Sequence, residues 1–103
     1  MRLEYYPEEK LKKEILDIIG KYLDLKKYKV FFFGSRVSGK GDDRSDIDVG
    51  IEGAEEVPIV AFSDIQEEIA NISTLYKIEI VDFKRVASNF KKVALQSIEV
   101  INK

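Results

Sequence analysis

Neither cysteine nor histidine occurs among these 103 residues. Without cysteine there is no disulfide, no thiolate nucleophile and no thiolate-bound zinc. Without histidine there is no imidazole base and no imidazole metal ligand. Any metal ion held here must therefore be held by oxygen, which points to Mg²⁺, with Mn²⁺ as the alternative. Tryptophan is also absent, and proline occurs only at Pro7 and Pro58. No apolar run approaches the roughly 18 residues of a membrane span, and no signal peptide is evident, so no membrane contact is expected and a cytoplasmic location is. Charge is nearly balanced, with 17 Lys and Arg against 19 Asp and Glu, a net −2. A basic stripe for a phosphate backbone is missing, which argues against a dedicated DNA or RNA binder.

What is present suits one small domain spanning residues 1–103, with 45% hydrophobic residues for a modest core. A second substrate-binding domain does not fit in this length. An enzyme this short is expected to take part of its substrate site from a partner.

Pro7 with Glu8 and Glu9 reads as a helix start. Leu11, Ile15, Ile18, Ile19, Tyr22 and Leu23 then recur at helical spacing, and Lys26 and Lys27 suit the helix's C-terminal end. Tyr28 to Phe33 reads as a strand stopped by Gly34. Residues 39–45 form a polar loop. Asp46 to Ile51 is a second strand, with Ile47, Val49 and Ile51 alternating against Asp46, Asp48 and Gly50. Pro58 opens another helix carrying Phe62, Ile65, Ile69 and Ile72 on one stripe. Tyr76 to Phe83 is a third strand, and Lys84 to Ile101 reads as a final helix with a wide apolar face that includes Val86, Phe90 and Val93. This order predicts an α+β domain, a small mixed β-sheet with helices packed on one face.

The chemistry concentrates in Gly34-Ser35-Arg36-Val37-Ser38-Gly39-Lys40 and Asp46-Ile47-Asp48. A small polar turn leaves an apolar strand, and its free N–H groups can hold an anion. Side chains i and i+2 of a strand share a face, so Asp46 and Asp48 aim at one spot. An anion-binding turn beside paired carboxylates is equipment for metal-assisted chemistry on a nucleoside triphosphate. Two other motifs fail on inspection. A P-loop needs Ser or Thr after Lys40, and Gly41 stands there. An EF-hand loop starting at Asp42 needs Gly and Glu where Ile47 and Gly53 stand.

Gly34, Ser35, Gly39, Ser45, Asp46 and Asp48, with Arg36 between them, resemble the motif of the minimal nucleotidyltransferases of the DNA polymerase β-like superfamily. Element order and length agree with that family as well. The resemblance implies a polymerase β-like palm fold and transfer of a nucleoside monophosphate, AMP from ATP, to a hydroxyl. Gly34 would admit the backbone close to phosphate. Ser35, Arg36, Gly39 and Ser45 would belong to the nucleotide site. Asp46 and Asp48 would ligate Mg²⁺, with two ions expected. The family's third Asp is replaced by Glu79, which points away from the side that Ile78 and Ile80 bury and would act as third ligand or proton acceptor. Asp82 faces the other way and is expected to cap the next helix. Ser38 stands where the family often has a basic residue. The resemblance further implies an antitoxin role, with a helical HEPN-domain partner adenylylated on tyrosine; oligomerisation is left open.

Plainer readings stand beside these. Gly34 and Ser35 are common turn residues. Asp46 and Asp48 could form a solvated strand face, at a cost from like charges. Arg36 could make a surface ion pair, and Lys40, Asp42, Asp43 and Arg44 a solvated loop. Phe31, Phe32 and Phe33 read as core, and the five tyrosines have no spacing that assigns them chemistry. Two alternative functions follow: a catalytically weak module that binds nucleotide and occludes its partner, and an aminoglycoside-type enzyme whose acceptor domain another chain would supply.

Overall fold

A computed structural model describes residue 3, residues 5–39 and residues 46–102. The loop from Lys40 to Ser45, and with it the Ser45 site assignment, lies outside the described residues.

Pro7 occupies the N-cap of α1 (Glu8–Gly20), and Glu8 and Glu9 fill the first turn, where carboxylates meet the positive end of the helix dipole. Leu11, Ile15 and Ile19 recur every four residues and are fully buried. The apolar spacing predicts more helix, ending at Lys26 and Lys27, but α1 stops at Gly20. The N–H groups of Lys21 and Tyr22 close back on Ile18 and Ile19 at 3.2 and 3.0 Å in a tightened last turn. Asp24 then accepts the Lys26 N–H at 2.9 Å and starts a new turn. Leu23 remains buried although it has left the helix.

The central strand is β1 (Tyr28–Phe33), which runs straight into the single-turn helix α2 (Ser35–Ser38). Next come β2 (Ile47–Gly53), α3 (Ile59–Ala70) and β3 (Ile78–Asp82). The chain ends in α4 (Ser88–Ala94) and β4 (Glu99–Val100). The sheet order is β3-β2-β1-β4. β1 pairs antiparallel with β2 and β4, and β2 pairs parallel with β3, so the sheet is mixed.

Alternation along β1 splits its apolar residues between two faces. Val30 and Phe32 join Ile15, Ile19, Val49 and Ile65 in the core under α1 and α3. Phe31 and Phe33 join Phe83 on the opposite face, packed by Leu95, Ile98 and Val100. The two long helices thus share one face, as expected, and the short α4 with the tail covers part of the other. The phenylalanine run is core, with all three residues buried. Among the described residues no helix is long and apolar enough to cross a membrane.

Two further expectations need correction. Residues 84–101 are not one helix, because β1 needs a partner on its outer edge. β4 pairs with Phe31 and Phe32, and beyond it the Ile101 N–H bonds the Val30 carbonyl at 2.9 Å. The Asn102 side chain accepts the Val30 N–H at 2.9 Å and donates to the Leu25 and Tyr28 carbonyls. Nor does Asp82 cap a helix, since Ala87 takes that position for α4. Asp82 does face away from Glu79, and it is buried. Its carboxylate accepts the N–H of Val57 at 2.8 Å and of Lys84 at 2.9 Å, and pairs with the Arg85 Nε at 3.2 Å. It fixes the loop after β2 to the end of β3.

Candidate active site

Strand register assembles the acidic residues. Asp48 on β2 lies directly opposite Phe33 on β1 and Glu79 on β3. Residues paired across adjacent strands present side chains to the same face. Asp46 and Lys77 stand two positions before Asp48 and Glu79, at the same end of the sheet, and join that face. The result is a patch of three carboxylates and one lysine, on the face opposite α1 and α3.

The charges feel one another. Burial, then the charges of Asp46 and Glu79, push the Asp48 carboxyl above its usual range. Lys77 pairs with Glu79 at 3.0 Å. The hydrogen bond to Glu79 and the charges of Glu79 and Asp46 raise the lysine's pKa. Asp48 is half-buried, whereas Asp46 and Glu79 are exposed.

Gly34 brings the turn against this patch. Its φ of +85° and ψ of −164° belong to a region that only glycine enters readily. A Cβ there would fall on the Asp48 carboxylate, within 3.2 Å of Cγ. The position thus requires glycine for its conformation and for its closeness to Asp48. The Gly34 carbonyl accepts the Val37 and Ser38 N–H groups at 3.1 Å each, which winds α2. The amides of Ser35 and Arg36 head that turn, ahead of the first intrahelical partners. Ser35 is exposed, and Gly39 ends the turn with a φ of +81°.

Arg36 lies with its guanidinium 4.7 Å from the centre of the Tyr76 ring. Tyr76 in turn accepts the Tyr5 N–H at 3.1 Å through its hydroxyl. A cavity of about 390 Å³ opens beside the turn, with Gly34, Ser38 and Asp48 on one side and residues of α4 on the other.

The three expected acidic residues share one face, but they do not close into a metal cage. Among the described residues no group of three or more carboxylates is arranged to hold a metal ion. Glu79 is engaged with Lys77 instead. The donor set still fits Mg²⁺ in a more open form. That ion retains waters and is commonly held by one or two carboxylates plus substrate phosphates. Asp46 and Asp48 would be the donors in such an arrangement.

Lys77 and Tyr76 were missed in the sequence. The i and i+2 rule that paired Asp46 with Asp48 also puts Lys77 beside Glu79, so the lysine was legible. The contact of Arg36 with Tyr76 has no local signal, because 40 positions of chain separate the two.

Residues 13–103 match the family described as Polymerase beta, Nucleotidyltransferase. A probable protein adenylyltransferase, MntA, of Haemophilus influenzae is 27% identical over 74 residues. That match covers 72% of this chain but only 65% of the relative, slightly under two thirds of its length. The fold is similar to a crystal structure of a toxin–antitoxin with AMP-PNP, at a TM-score of 0.69 and 17% identity, covering 87% of this chain and 71% of that one. It is equally similar, at a TM-score of 0.69 and 14% identity, to a chain in the complex of a tri-AMPylated Shewanella oneidensis HEPN toxin with its MNT antitoxin. There 92% of this chain and 71% of the other are covered.

Proposed function

This chain belongs to the polymerase beta nucleotidyltransferase family, and on that premise we propose that it transfers AMP from ATP to a hydroxyl of a HEPN-domain partner, with Mg²⁺. The observation that carries the proposal is the placement of Asp46, Asp48 and Glu79 on one open sheet face, with Gly34 held against Asp48. The AMP-PNP and the AMPylated HEPN toxin of the two structural neighbours support the choice of nucleotide and acceptor.

In this reading the Ser35 hydroxyl and the amides at the head of α2 hold the β- and γ-phosphates. Gly34 lets that turn approach Asp48 without a side chain between. Asp46 and Asp48 place oxygen donors beside the α-phosphate, where bound Mg²⁺ would neutralise triphosphate charge and stabilise charge developing in transfer. The acceptor oxygen bonds to the α-phosphorus in line with the bond to the leaving pyrophosphate, which breaks. Glu79, one strand over and paired with Lys77 at 3.0 Å, takes the acceptor's proton in this reading. Positioning and electrostatics account for most of this catalysis. Labelled ATP supplied to the co-purified pair should label the partner, and Asp48→Asn should abolish labelling. Equal labelling by the variant would refute the assignment.

One observation favours a second reading, that of a nucleotide-binding module which occludes its partner. Glu79 is paired with Lys77 rather than grouped with the aspartates. ATP binding without any transfer to the bound partner would decide for that module.

A further inference from the structure

The cavity beside the phosphate turn has two unlike walls. Gly34, Ser38 and Asp48 make a polar one, while Phe90, Val93 and Ala94 of α4 make an apolar one. Phe90 is 45% exposed and Val93 68% exposed, so neither side chain is spent on the core. Phe90 is nonetheless held in place. Its ring stands nearly perpendicular to Phe33 at 6.2 Å and lies 6.0 Å from Phe83. The perpendicular contact with Phe33 is a favoured geometry for an aromatic pair, and the ring stays partly exposed. Past α4, Gln96 and Ser97 bring an amide and a hydroxyl to the same cavity.

With the cation that Asp48 would hold in the proposed reading, a ligand matching these walls is anionic at one end and flat and apolar at the other, with hydrogen-bonding edges. A nucleotide has that form. The cavity's volume of about 390 Å³ lies within the range of small-molecule sites. We propose that the α4 wall is the seat of the nucleobase, with Phe90 stacking on the base, Val93 flanking it and Gln96 and Ser97 facing its polar edge. The seat rests on the reading that Gly34 to Ser38 bind the triphosphate, because it fixes which way the nucleoside runs from there. α4 then serves the substrate and not only the sheet. Stacking on one aromatic ring accepts any base, because every base offers a π-face.

Calorimetric titration with two probes, ATP and inorganic tripolyphosphate, each with Mg²⁺ in excess, separates the base seat from the phosphate site. Phe90→Ala should weaken ATP binding about tenfold, in line with the loss of one base–aromatic stack, and leave tripolyphosphate binding within about twofold. Because Phe90 also touches Phe33 and Phe83, Val93→Gln is the companion variant. It alters an exposed wall residue, and it should weaken ATP binding about threefold with tripolyphosphate unchanged. Unchanged ATP affinity in both variants would overturn the base seat while leaving the phosphate site standing. Equal losses for both probes would overturn it as well, by showing that α4 supports the fold rather than the base. Failure of the unsubstituted protein to bind either probe would overturn both readings.

Discussion

The two faces of the sheet are built from the same strands and do opposite work. Under α1 and α3, Leu11, Ile15, Ile19, Val30, Val49 and Ile65 are all fully buried, and Asp82, the charged side chain buried on this face, has its carboxylate satisfied by the Val57 and Lys84 N–H groups. On the other face β1 presents Phe31 and Phe33, and in register with Phe33 stand Asp48 on β2 and Glu79 on β3. Three carboxylates share that face, and burial, then the charges of Asp46 and Glu79, push the Asp48 carboxyl above its usual range. Burial of each large aliphatic side chain contributes about 1.5–3 kcal/mol, so the first face can support strain on the second. One face is organised for stability. The other carries a stability cost at Asp48, where the proposed cation and polyphosphate site lies.

Substitutions can separate the two. The largest effect is expected at the carboxylates, where Asp46→Asn or Asp48→Asn should lower transfer on the order of several hundred-fold, comparable to removing a charge-stabilising group from an active site. Single-turnover transfer from labelled ATP reads this, with the circular dichroism spectrum unchanged. On the apolar face, Ile15→Ala should cost about 2–5 kcal/mol of stability through lost burial and a cavity. Urea unfolding should show an earlier midpoint, while transfer per folded molecule stays unchanged.

Gly34→Ala tests the junction between strand and turn. A side chain at this φ costs about 1–3 kcal/mol, and it would also displace the Asp48 carboxylate. Both thermal stability and ATP affinity should fall, whereas Ile15→Ala affects stability alone.

The smallest effect sharpens the comparison most. A like-charge neighbour on a sheet costs about 0.2–1 kcal/mol, and about 1 kcal/mol moves the midpoint of a domain this size by roughly 4–8 °C. Asp48→Asn should therefore raise the unfolding midpoint by a few degrees near neutral pH. The sign follows from proton linkage. The folded state holds the Asp48 proton more tightly than the unfolded chain, so this residue's penalty grows as pH rises from the unfolded value, about 3.9, through the raised folded value. The gain in Asp48→Asn should be present above the raised folded value and vanish as pH falls below the unfolded value of about 3.9. A gain that persists in acid would place its origin elsewhere.

Much of this could be read in the chain because it is local. Strand alternation puts Asp46 with Asp48, Pro7 and Pro58 mark helix starts, and Ile65 and Ile69 mark a buried stripe. The fold class and the long helices on one face followed from the same patterns. What escaped was set by distant partners. The tail's apolar residues have a spacing compatible with a helix, yet β1 lacked an edge partner, and β4 with Asn102 satisfied it. Asp82 has the composition of a cap, but the Val57 amide 25 positions away claims it. The pairing of Lys77 with Glu79 is local too, since the two stand two positions apart and share a face by strand alternation.

The most direct test of the central claim, that the acidic sheet face and the Gly34 turn form one Mg²⁺–ATP site, is calorimetric titration of ATP with and without Mg²⁺ into the protein and into Asp48→Asn. The account predicts binding that needs Mg²⁺ and is lost in Asp48→Asn although that variant unfolds at a higher temperature. Equal ATP binding by the variant, or binding indifferent to Mg²⁺, would contradict it.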